Sequence, residues 1–490
     1  MKKIIILLFI LAFTLRVYSI FPNKIILGYD QIRDLFAAKN MWVDGDLKII
    51  GPTAGNNLNL HHGVAFLYYV LPPIIMFNGN PFWISVWNSL INSLAVIIIY
   101  LFSKSLFKDN VSATIAAFIT AVSYYFVSYA GWIGNPAPTL VTVPLFFYFL
   151  WKYINGDQKS LILSSLFLGL SIQFELFFIY LIPVLIGVLI LFRPKLPSKK
   201  IIFLSLFVFL LTVSTMIATE IKYNFSGIKD IFGAVFLGKT QGQGMVNNLI
   251  FMLNGFTETF SSNIWPGKII FGKLFALFTI LFFLIKAKEK SFSFLLIYLL
   301  SPFIMLIAGF HGSPWFLIGL SPAIAISSGY LISKLKYPAL IFISCLFIFY
   351  VNFGIDLNLL GADKSSILAN QIAVIDYTYE SSDHKNFTIN SVTNPLYINY
   401  PWAYNYGWYG LKKYGYLPTW TGGEQLAPYD VLSNSKNDEE YLYLIIDQTP
   451  RIPNIYKDNA YDWANQISLL VEEKRFEGLI VQKRRLFHKI

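Results

Sequence analysis

Two carboxylates near the N-terminus, Asp30 and Asp34, have the spacing of a catalytic pair. They lie in the polar stretch 28–34 (GYDQIRD), directly after the first apolar segment of a very apolar chain. Charged residues beside a membrane span are costly, which suggests that these serve a function. Residues four apart on a helix share one face. If the stretch is helical, one carboxylate can take a proton while the other holds a metal or a cation.

The composition predicts a polytopic membrane protein. The chain has 490 residues, of which 56% are hydrophobic and 13% charged, and this charged share is about half that of a soluble protein. The net charge of +11 does not indicate nucleic-acid binding, because most Lys and Arg lie in short breaks between apolar runs, where they orient spans. The single cysteine, Cys345, excludes an intrachain disulfide.

The apolar runs predict eleven transmembrane helices, judged against the roughly 17 to 25 residues that cross a bilayer. The first is a retained span rather than a signal peptide, because residues 18–21 offer no small-residue cleavage pattern. The predicted spans are 4–20, 83–103, 111–130, 138–153, 161–174, 176–192, 201–219, 269–285, 292–310, 315–332 and 338–352.

Residues 64–77 are apolar but short and contain two prolines, so we expect an interfacial helix there. With this segment excluded as a span, the Lys- and Arg-rich breaks fall on the side of Lys2 and Lys3, as the positive-inside rule requires. Residues 161–192 are read as two short spans, with one long helix as the alternative. The N-terminus is then cytoplasmic in the plasma membrane.

The remaining polar residues then gather on the extracytoplasmic face, where one cavity can collect them. They are Asp30, Asp34, His61, His62, Asn135, Gln173, Glu175, Glu220, Lys222, Tyr223 and His311.

Two domains are expected: a transmembrane domain over 1–355 and a small extracytoplasmic α/β domain over 356–490. The first has external loops at 21–82 and 220–268. The glycine-rich run 238–244 of the second loop lacks a phosphate-loop spacing and suits a flexible lid, with a plain loop as the alternative. In the second domain, strands are predicted at 387–389, 441–446 and 479–482, and helices at 367–379 and 463–473.

The stretch 28–38, followed by Gly45, Gly51-Pro52, His62-Gly63, Tyr68-Tyr69 and Pro72-Pro73, resembles the first external loop of GT-C fold glycosyltransferases. Within that fold the chain resembles the bacterial and archaeal relatives of protein O-mannosyltransferases and aminoarabinose transferases. The resemblance implies a polyprenyl-phosphate-linked sugar as donor, action on the outer face, and Asp30 as the catalytic Asp.

Further segments extend the resemblance over residues 1–352. Residues 132–136 resemble the second external loop, Gln173-Phe174-Glu175 resembles a Gln-x-His element, and 220–224 resembles an acidic-basic pair. Glu175 stands where relatives often have His, and Gln31 where several have a second acid. The first difference bears on substrate contacts and the second on metal use.

The chemistry of glycosyl transfer agrees with these residues. A base must deprotonate the acceptor hydroxyl, and we expect Asp30 to act as this base with Asp34 in support. The charge that develops on the leaving phosphate needs cations, supplied by Arg16, Arg33, Lys222 or His311, or by a divalent cation such as Mg²⁺ or Mn²⁺. In-line attack would invert the anomeric centre.

Several of the candidate residues also have a structural explanation. Asp30 can be a helix N-cap, Arg16 can extend its charge to the interface, and Asn135-Pro136 can begin a span. Glu220 and Lys222 can form an ion pair at a helix end. The aromatic run 402–409 can pack against sugar rings, or it can form a domain core or a membrane-facing belt.

The sequence thus predicts a GT-C-like glycosyltransferase that moves one hexose or pentose to a hydroxyl of a glycan, lipid or protein acceptor. A flippase or transporter for lipid-linked glycans is the alternative, and a non-catalytic scaffold is a third. A transporter would place polar residues at the midplane of broken helices, whereas here they gather at span ends on one side. That contrast favours the enzyme.

Overall fold

The computed structural model describes residues 2–54, 57–237, 245–307, 317–353, 363–435 and 439–487, and most of these are helical. They pack as two compact units. The first unit comprises Met1–Ser19, Lys48–Tyr68 and Val86–Leu357, and the second comprises Ile20–Leu47, Tyr69–Ser85 and Asn358–Ile490. Part of the predicted first external loop therefore packs with the C-terminal residues.

Within the described residues, each of the eleven predicted spans contains apolar helix. Among the described residues, two helices are individually long and apolar enough to cross a membrane, Lys2–Ile20 and Pro81–Phe107, and the number rises to five if each bent pair is one span. The helices up to residue 353 are Lys2–Ile20, Tyr29–Val43, Ala65–Met76, Pro81–Phe107, Asn110–Val122, Tyr124–Gly131, Thr139–Ile154, Ser160–Phe174, Leu181–Phe192, Lys199–Thr212, Ser214–Lys222, Ser226–Leu237, Met245–Ile264, Ile269–Ile285, Lys290–Leu300, Ser321–Ser333 and Pro338–Phe353, with 3-10 turns at Leu176–Tyr180, Ser301–Leu306 and Ile318–Leu320.

The first unit has an apolar core and an apolar exterior. Tyr298 stacks on Phe147 at 3.6 Å in the interior, and Gly329 lets two helices meet so closely that an added Cβ would lie 2.6 Å from the Ala116 nitrogen. By contrast, the helix Lys199–Thr212 exposes 70% of Phe203. Exposed apolar helix faces of this kind suit a lipid environment.

Two predicted spans are bent, and one predicted pair is confirmed as two helices. The run 111–130 bends by 49° at Ser123, and 201–219 bends by 58° at Val213. Residues 161–192 form two helices with a break at Glu175, whose backbone is extended. The single long helix is therefore wrong.

The predicted external loop 220–268 is not irregular throughout, because its described residues include two helices, Ser226–Leu237 and Met245–Ile264. In the second helix Met252, Phe256 and Phe260 are buried at intervals of four residues. This is one helix face, and the polar residues between its members obscured the pattern. The proposed lid residues 238–244 lie outside the described residues.

The second unit contains a five-stranded mixed sheet in the order β4-β3-β5-β7-β6. The strands are β3 (Phe387–Val392), β4 (Thr419–Trp420), β5 (Tyr441–Asp447), β6 (Ser468–Phe476) and β7 (Leu479–Leu486), while β1 (Thr53–Ala54) and β2 (Asn57–His61) form a separate pair in the first unit. β3 is parallel to β4 and β5, whereas β7 is antiparallel to β5 and β6.

Helices cover both faces of the central strand β5, which is wholly buried. Tyr443 and Ile445 pack with the helix Leu368–Ser381, and Leu442 and Leu444 pack with the helix Asn454–Ile467. Alternate residues of a strand point to opposite faces, so a strand covered on both sides reads as one apolar run. Shorter helical segments, Tyr400–Asn405, Tyr406–Gly410 and Leu411–Tyr414, connect β3 to β4.

The three predicted strands and the helix predicted at 367–379 are confirmed. The helix predicted at 463–473 is wrong after Ile467, because residues 468–476 form β6 and pair with β7. The β-hairpin pairs the segment with β7, with a register shift between Leu470 and Glu472, and this tertiary pairing overrides its mixed local propensity.

The segment that leads to Asp30 is bound to the C-terminal residues within the second unit. The Leu368 and Ala369 amides donate to the carbonyls of Ile25 and Asn23, and the Leu27 amide donates to the Ser366 carbonyl. These bonds resemble strand pairing. They attach the residues just before the helix Tyr29–Val43 to residues 366–369.

Candidate functional site

The helix Tyr29–Val43 carries both predicted catalytic carboxylates, so the predicted helical spacing is confirmed. Its N-cap is Gly28, whose amide donates to the Gln31 side-chain oxygen at 3.0 Å. The expectation that Asp30 is the N-cap is therefore wrong. Asp30 lies in the first turn, where the helix dipole favours a negative charge.

Arg33 joins the two carboxylates. Its Nη1 lies 2.8 Å from Asp30 Oδ1, and its Nε lies 2.9 Å from Asp34 Oδ1. The guanidinium also lies over the Tyr29 ring, 5.9 Å from the centroid. One cation is thus shared between two acids and held by an aromatic face.

The two carboxylates differ sharply in environment. The Asp30 side chain is 67% exposed, whereas that of Asp34 is 5% exposed. Burial raises the pKa of Asp34 from 3.8 to about 6, although the neighbouring Arg33 opposes this change. Asp30 is therefore accessible to a hydroxyl group from solvent, whereas the buried Asp34 binds Arg33 through Nε.

A stack of tyrosines extends from the carboxylate cluster, and the sequence reasoning missed it. Tyr29 stacks on Tyr400 at 5.1 Å, and Tyr400 stacks on Tyr429 at 3.6 Å. Phe36, on the same helix, meets the edge of Tyr404. Tyr400 lies two residues before the aromatic run 402–409, which was the available signal, but sequence alone does not show which rings approach Tyr29.

A second cluster, in the first unit, joins three other predicted residues: His62, Asn135 and Glu175. The Asn135 side-chain amide donates to Glu175 Oε2 at 3.2 Å and to the Phe174 carbonyl at 2.8 Å. His62 Nδ1 lies 3.5 Å from Glu175 Oε1. Burial raises the pKa of Glu175, which lies in the break between two helices, to about 8.

Gln173 lies beside this cluster but supports a helix bend. Its amide donates to the Thr212 carbonyl and to Thr215 Oγ1, at 2.9 and 2.8 Å. Its Oε1 is buried against Gly63, where an added Cβ would lie only 1.9 Å away. The close approach of Gln173 explains why Gly63, one of the residues that carry the resemblance, must lack a side chain.

Arg16 is fully buried, so the expectation that it extends to the membrane interface is wrong. Its guanidinium donates four hydrogen bonds, to Asn92 Oδ1 and to the carbonyls of Ala12, Thr120 and Ala121. The last two carbonyls belong to the C-terminal turn of the helix Asn110–Val122, which lacks its own donors. Through these contacts Arg16 stabilises the bend at Ser123.

Glu220, Lys222 and Tyr223 lie together after the helix bend at Val213. Glu220 Oε2 accepts the Ile228 amide at 3.1 Å and so caps the next helix. The Lys222 ammonium lies over the Tyr223 ring, which stacks on His61 at 5.4 Å. The adjacent histidines thus have different partners, Tyr223 for His61 and Glu175 for His62.

His311 lies outside the described residues. Within the described residues, no three His, Cys, Asp or Glu side chains are grouped as a metal site requires.

Residues 66–218 match the family described as dolichyl-phosphate-mannose-protein mannosyltransferase, PMT_2. This range includes Asn135, Gln173 and Glu175 but not Asp30, and it covers less than half of the chain. Among curated protein sequences, none is significantly similar to the chain.

The fold matches that of a solved structure over nearly its whole length. ArnT from Cupriavidus metallidurans in the apo state superposes with a TM-score of 0.61 at 11% identity, covering 98% of each chain. The same protein bound to undecaprenyl phosphate gives a TM-score of 0.60 at 10% identity, covering 98% of this chain and 97% of that one. The chain therefore has the GT-C fold and resembles ArnT and the protein mannosyltransferases.

Proposed function

We propose that the chain is a membrane glycosyltransferase that transfers one sugar from a polyprenyl-phosphate donor to an acceptor hydroxyl, with inversion. The observation that carries this proposal is the exposed Asp30, joined through Arg33 to the buried Asp34. The GT-C fold supports the reaction class, and the undecaprenyl phosphate bound by ArnT supports the donor class. The sugar is a hexose or pentose, and the acceptor is a glycan, a lipid or a protein.

In the proposed reaction the acceptor oxygen attacks the anomeric carbon while Asp30 takes the hydroxyl proton. The bond between the anomeric carbon and the phosphate oxygen breaks, and polyprenyl phosphate leaves with the electron pair. A base of this kind contributes about 10² to 10⁴ in rate. Since attack is in line with the leaving oxygen, the anomeric configuration inverts.

The negative charge on the leaving phosphate requires compensation. We propose that Arg33 and Lys222 contribute to it, together with His311 and Arg16 from the sequence prediction, and a divalent cation such as Mg²⁺ or Mn²⁺ is the alternative source. For Arg16, the four hydrogen bonds to protein groups favour a structural contribution.

Substrate binding is proposed for the remaining polar residues of the first unit: His62, Asn135, Gln173, Glu175, Glu220 and Tyr223. His62 and Asn135 have the stronger basis, since both are partly buried beside the ionisable Glu175. A protonated Glu175 can donate a hydrogen bond to a sugar or phosphate oxygen, and its Oε1 makes no hydrogen bond within the described residues.

The proposal also includes the topology. The N-terminus is cytoplasmic in the plasma membrane, eleven helices span it, and residues 356–490 form an extracytoplasmic α/β domain. The five-stranded sheet and its covering helices support the α/β character of that domain.

The test is donor turnover by the purified chain in detergent with a panel of polyprenyl-phosphate sugars. We expect one or more donors to be consumed, and Asp30→Asn to lose at least about a hundredfold while remaining folded. Asp44→Asn is the matched control, because Asp44 is an exposed carboxylate at the other end of the same helix. Equal turnover by Asp30→Asn and wild type would remove Asp30 from the mechanism. Transport of lipid-linked sugar across liposomes without turnover would support the flippase instead.

A further inference from the structure

The second unit contains a cleft of about 560 Å³ that shares no residue with the Asp30, Arg33 and Asp34 cluster. This volume is within the range of small-ligand sites. Five aromatic rings, three carboxamides, two lysines and two aliphatic side chains line it: Phe21, Phe77, Phe82, Trp408, Tyr409, Asn23, Asn78, Asn80, Lys412, Lys413, Pro22 and Ile372.

The aromatic part of the lining is held in place by ring contacts. Phe77 stacks on Trp83 at 5.2 Å, and Phe82 meets the edges of Trp83 and Phe21 at 5.4 and 6.4 Å. Trp408 lies 5.8 Å from Tyr409. Rings positioned in this way present fixed apolar faces, so little conformational entropy is lost when a ligand packs against them.

The two lysines differ in their electrostatic environment. Lys413 donates to Asp376 at 2.9 Å and to Tyr409 at 3.0 Å, so its charge is compensated. Tyr409 donates to the same carboxylate at 3.0 Å, which fixes its ring. Lys412 is exposed and has no ion pair or hydrogen bond within the described residues. The cleft therefore has one uncompensated positive charge.

Two of the three carboxamides, those of Asn78 and Asn80, lie in a turn that is held by hydrogen bonds. The Tyr404 hydroxyl donates to the Gly79 carbonyl at 2.6 Å, which holds the turn between Asn78 and Asn80. Asn80 Oδ1 accepts the Phe82 amide at 2.9 Å, and this orients its side chain and leaves its amino group as a donor. Asn side chains offer donors and acceptors that match sugar hydroxyls.

We propose that this cleft binds a saccharide that carries a negatively charged group, such as a carboxylate or a phosphate. Trp408 and the neighbouring rings would pack against the apolar face of a sugar ring. The carboxamides would bind its hydroxyls, and the Lys412 ammonium would pair with the acid. Other aromatic residues of the same run, Trp402 and Tyr406, are buried in the domain core.

The experiment measures binding of a galacturonic acid tetramer to the full chain in phosphatidylcholine nanodiscs, without any donor. Its fully methyl-esterified form is the matched neutral ligand. We expect the acid to bind at least about tenfold more tightly, the scale of a hydrogen bond to a charged group. Lys412→Gln should make the two ligands nearly equal, and Trp408→Ala should weaken both by about tenfold.

Lys474→Gln is the control, because Lys474 is an exposed lysine of β6 that does not line the cleft. Equal binding of the two tetramers to wild type would overturn the proposal, whether or not any variant folds. Displacement of the acid tetramer by an equal concentration of glycerophosphoglycerol, the headgroup of an anionic lipid, would assign the cleft to lipid and also overturn it. Because no donor is present, failure here leaves the proposed transferase reaction untouched.

Discussion

Replacing Asp34 with Asn is expected to change how catalysis depends on pH. In the proposed mechanism, ionised Asp34 forms an ion pair with Arg33 Nε. This ion pair weakens the competing interaction of Arg33 with Asp30. With a pKa of about 6, Asp34 is about nine-tenths ionised at pH 7 and about one-tenth ionised at pH 5. If only the ionised form is active, kcat/KM at pH 5 falls to about a tenth of its plateau.

The variant Asp34→Asn cannot titrate at this position, so the decline centred near pH 6 should be absent. Its plateau should lie at least about tenfold below wild type, because a charged hydrogen-bond acceptor of Arg33 is lost. The assay is kcat/KM for donor consumption between pH 4.5 and 8, with Asp44→Asn as control. An unchanged decline near pH 6 in Asp34→Asn would refute the assignment.

The same residue links stability to pH. The pKa of Asp34 is raised on folding, so its contribution to stability is complete below pH 3.8 and is lost as pH rises through about 6. The difference between 3.8 and about 6 corresponds to about 3 kcal/mol. Denaturation at pH 4 and pH 7 should show this loss in wild type and not in Asp34→Asn.

Three further variants test other parts of the structure. Arg33→Lys should lower kcat/KM at least about tenfold, because one ammonium cannot reproduce the fork that joins both carboxylates. Gly63→Ala should reduce the yield of folded protein, since its Cβ would meet Gln173 at 1.9 Å. Arg16→Met should lower the free energy of unfolding by at least about 3 kcal/mol, because buried helix carbonyls lose their donors. Size-exclusion profiles and thermal denaturation measure the last two.

Each of these variants has a control. Lys39→Arg changes an exposed cation on the same helix as Arg33, and Gly187→Ala adds a Cβ that meets no atom within 4 Å. Lys2→Met removes an exposed charge from the same helix as Arg16. If a variant and its control behave alike, the contact that motivated the substitution is not responsible for its effect.

Local patterns were sufficient for much of the secondary structure. Helices occupy the eleven apolar runs, and strands occupy 387–392, 441–447 and 479–486, because hydrophobic length and alternation are properties of short segments. The pairing of Asp30 and Asp34 on one helix face followed from their spacing alone. The helix Met245–Ile264 was also readable from its four-residue apolar interval but was missed.

Tertiary contacts decided the properties of the site. Sequence could not show that Asp34 is buried while Asp30 is exposed, because burial depends on residues distant in the chain. It could not show that Arg16 is enclosed by the helix Asn110–Val122, about a hundred residues away. β6 is a further example of a feature that tertiary contacts decide. Its sequence predicts a helix as far as residue 473, but residues 468–476 form a strand because β7 provides their hydrogen-bond partners.

The sequence by itself determined the class of molecule: an apolar chain of many helices with a conspicuous acidic pair after the first span. Only the tertiary structure divided that pair into an exposed acid and a buried one, and only it joined the residues before Asp30 to the C-terminal fold. The physical reason is the distance over which each property is determined. Periodicity and hydrophobic length act within a few turns of the chain, whereas solvation, and with it the pKa of an acid, is set by every neighbour in space.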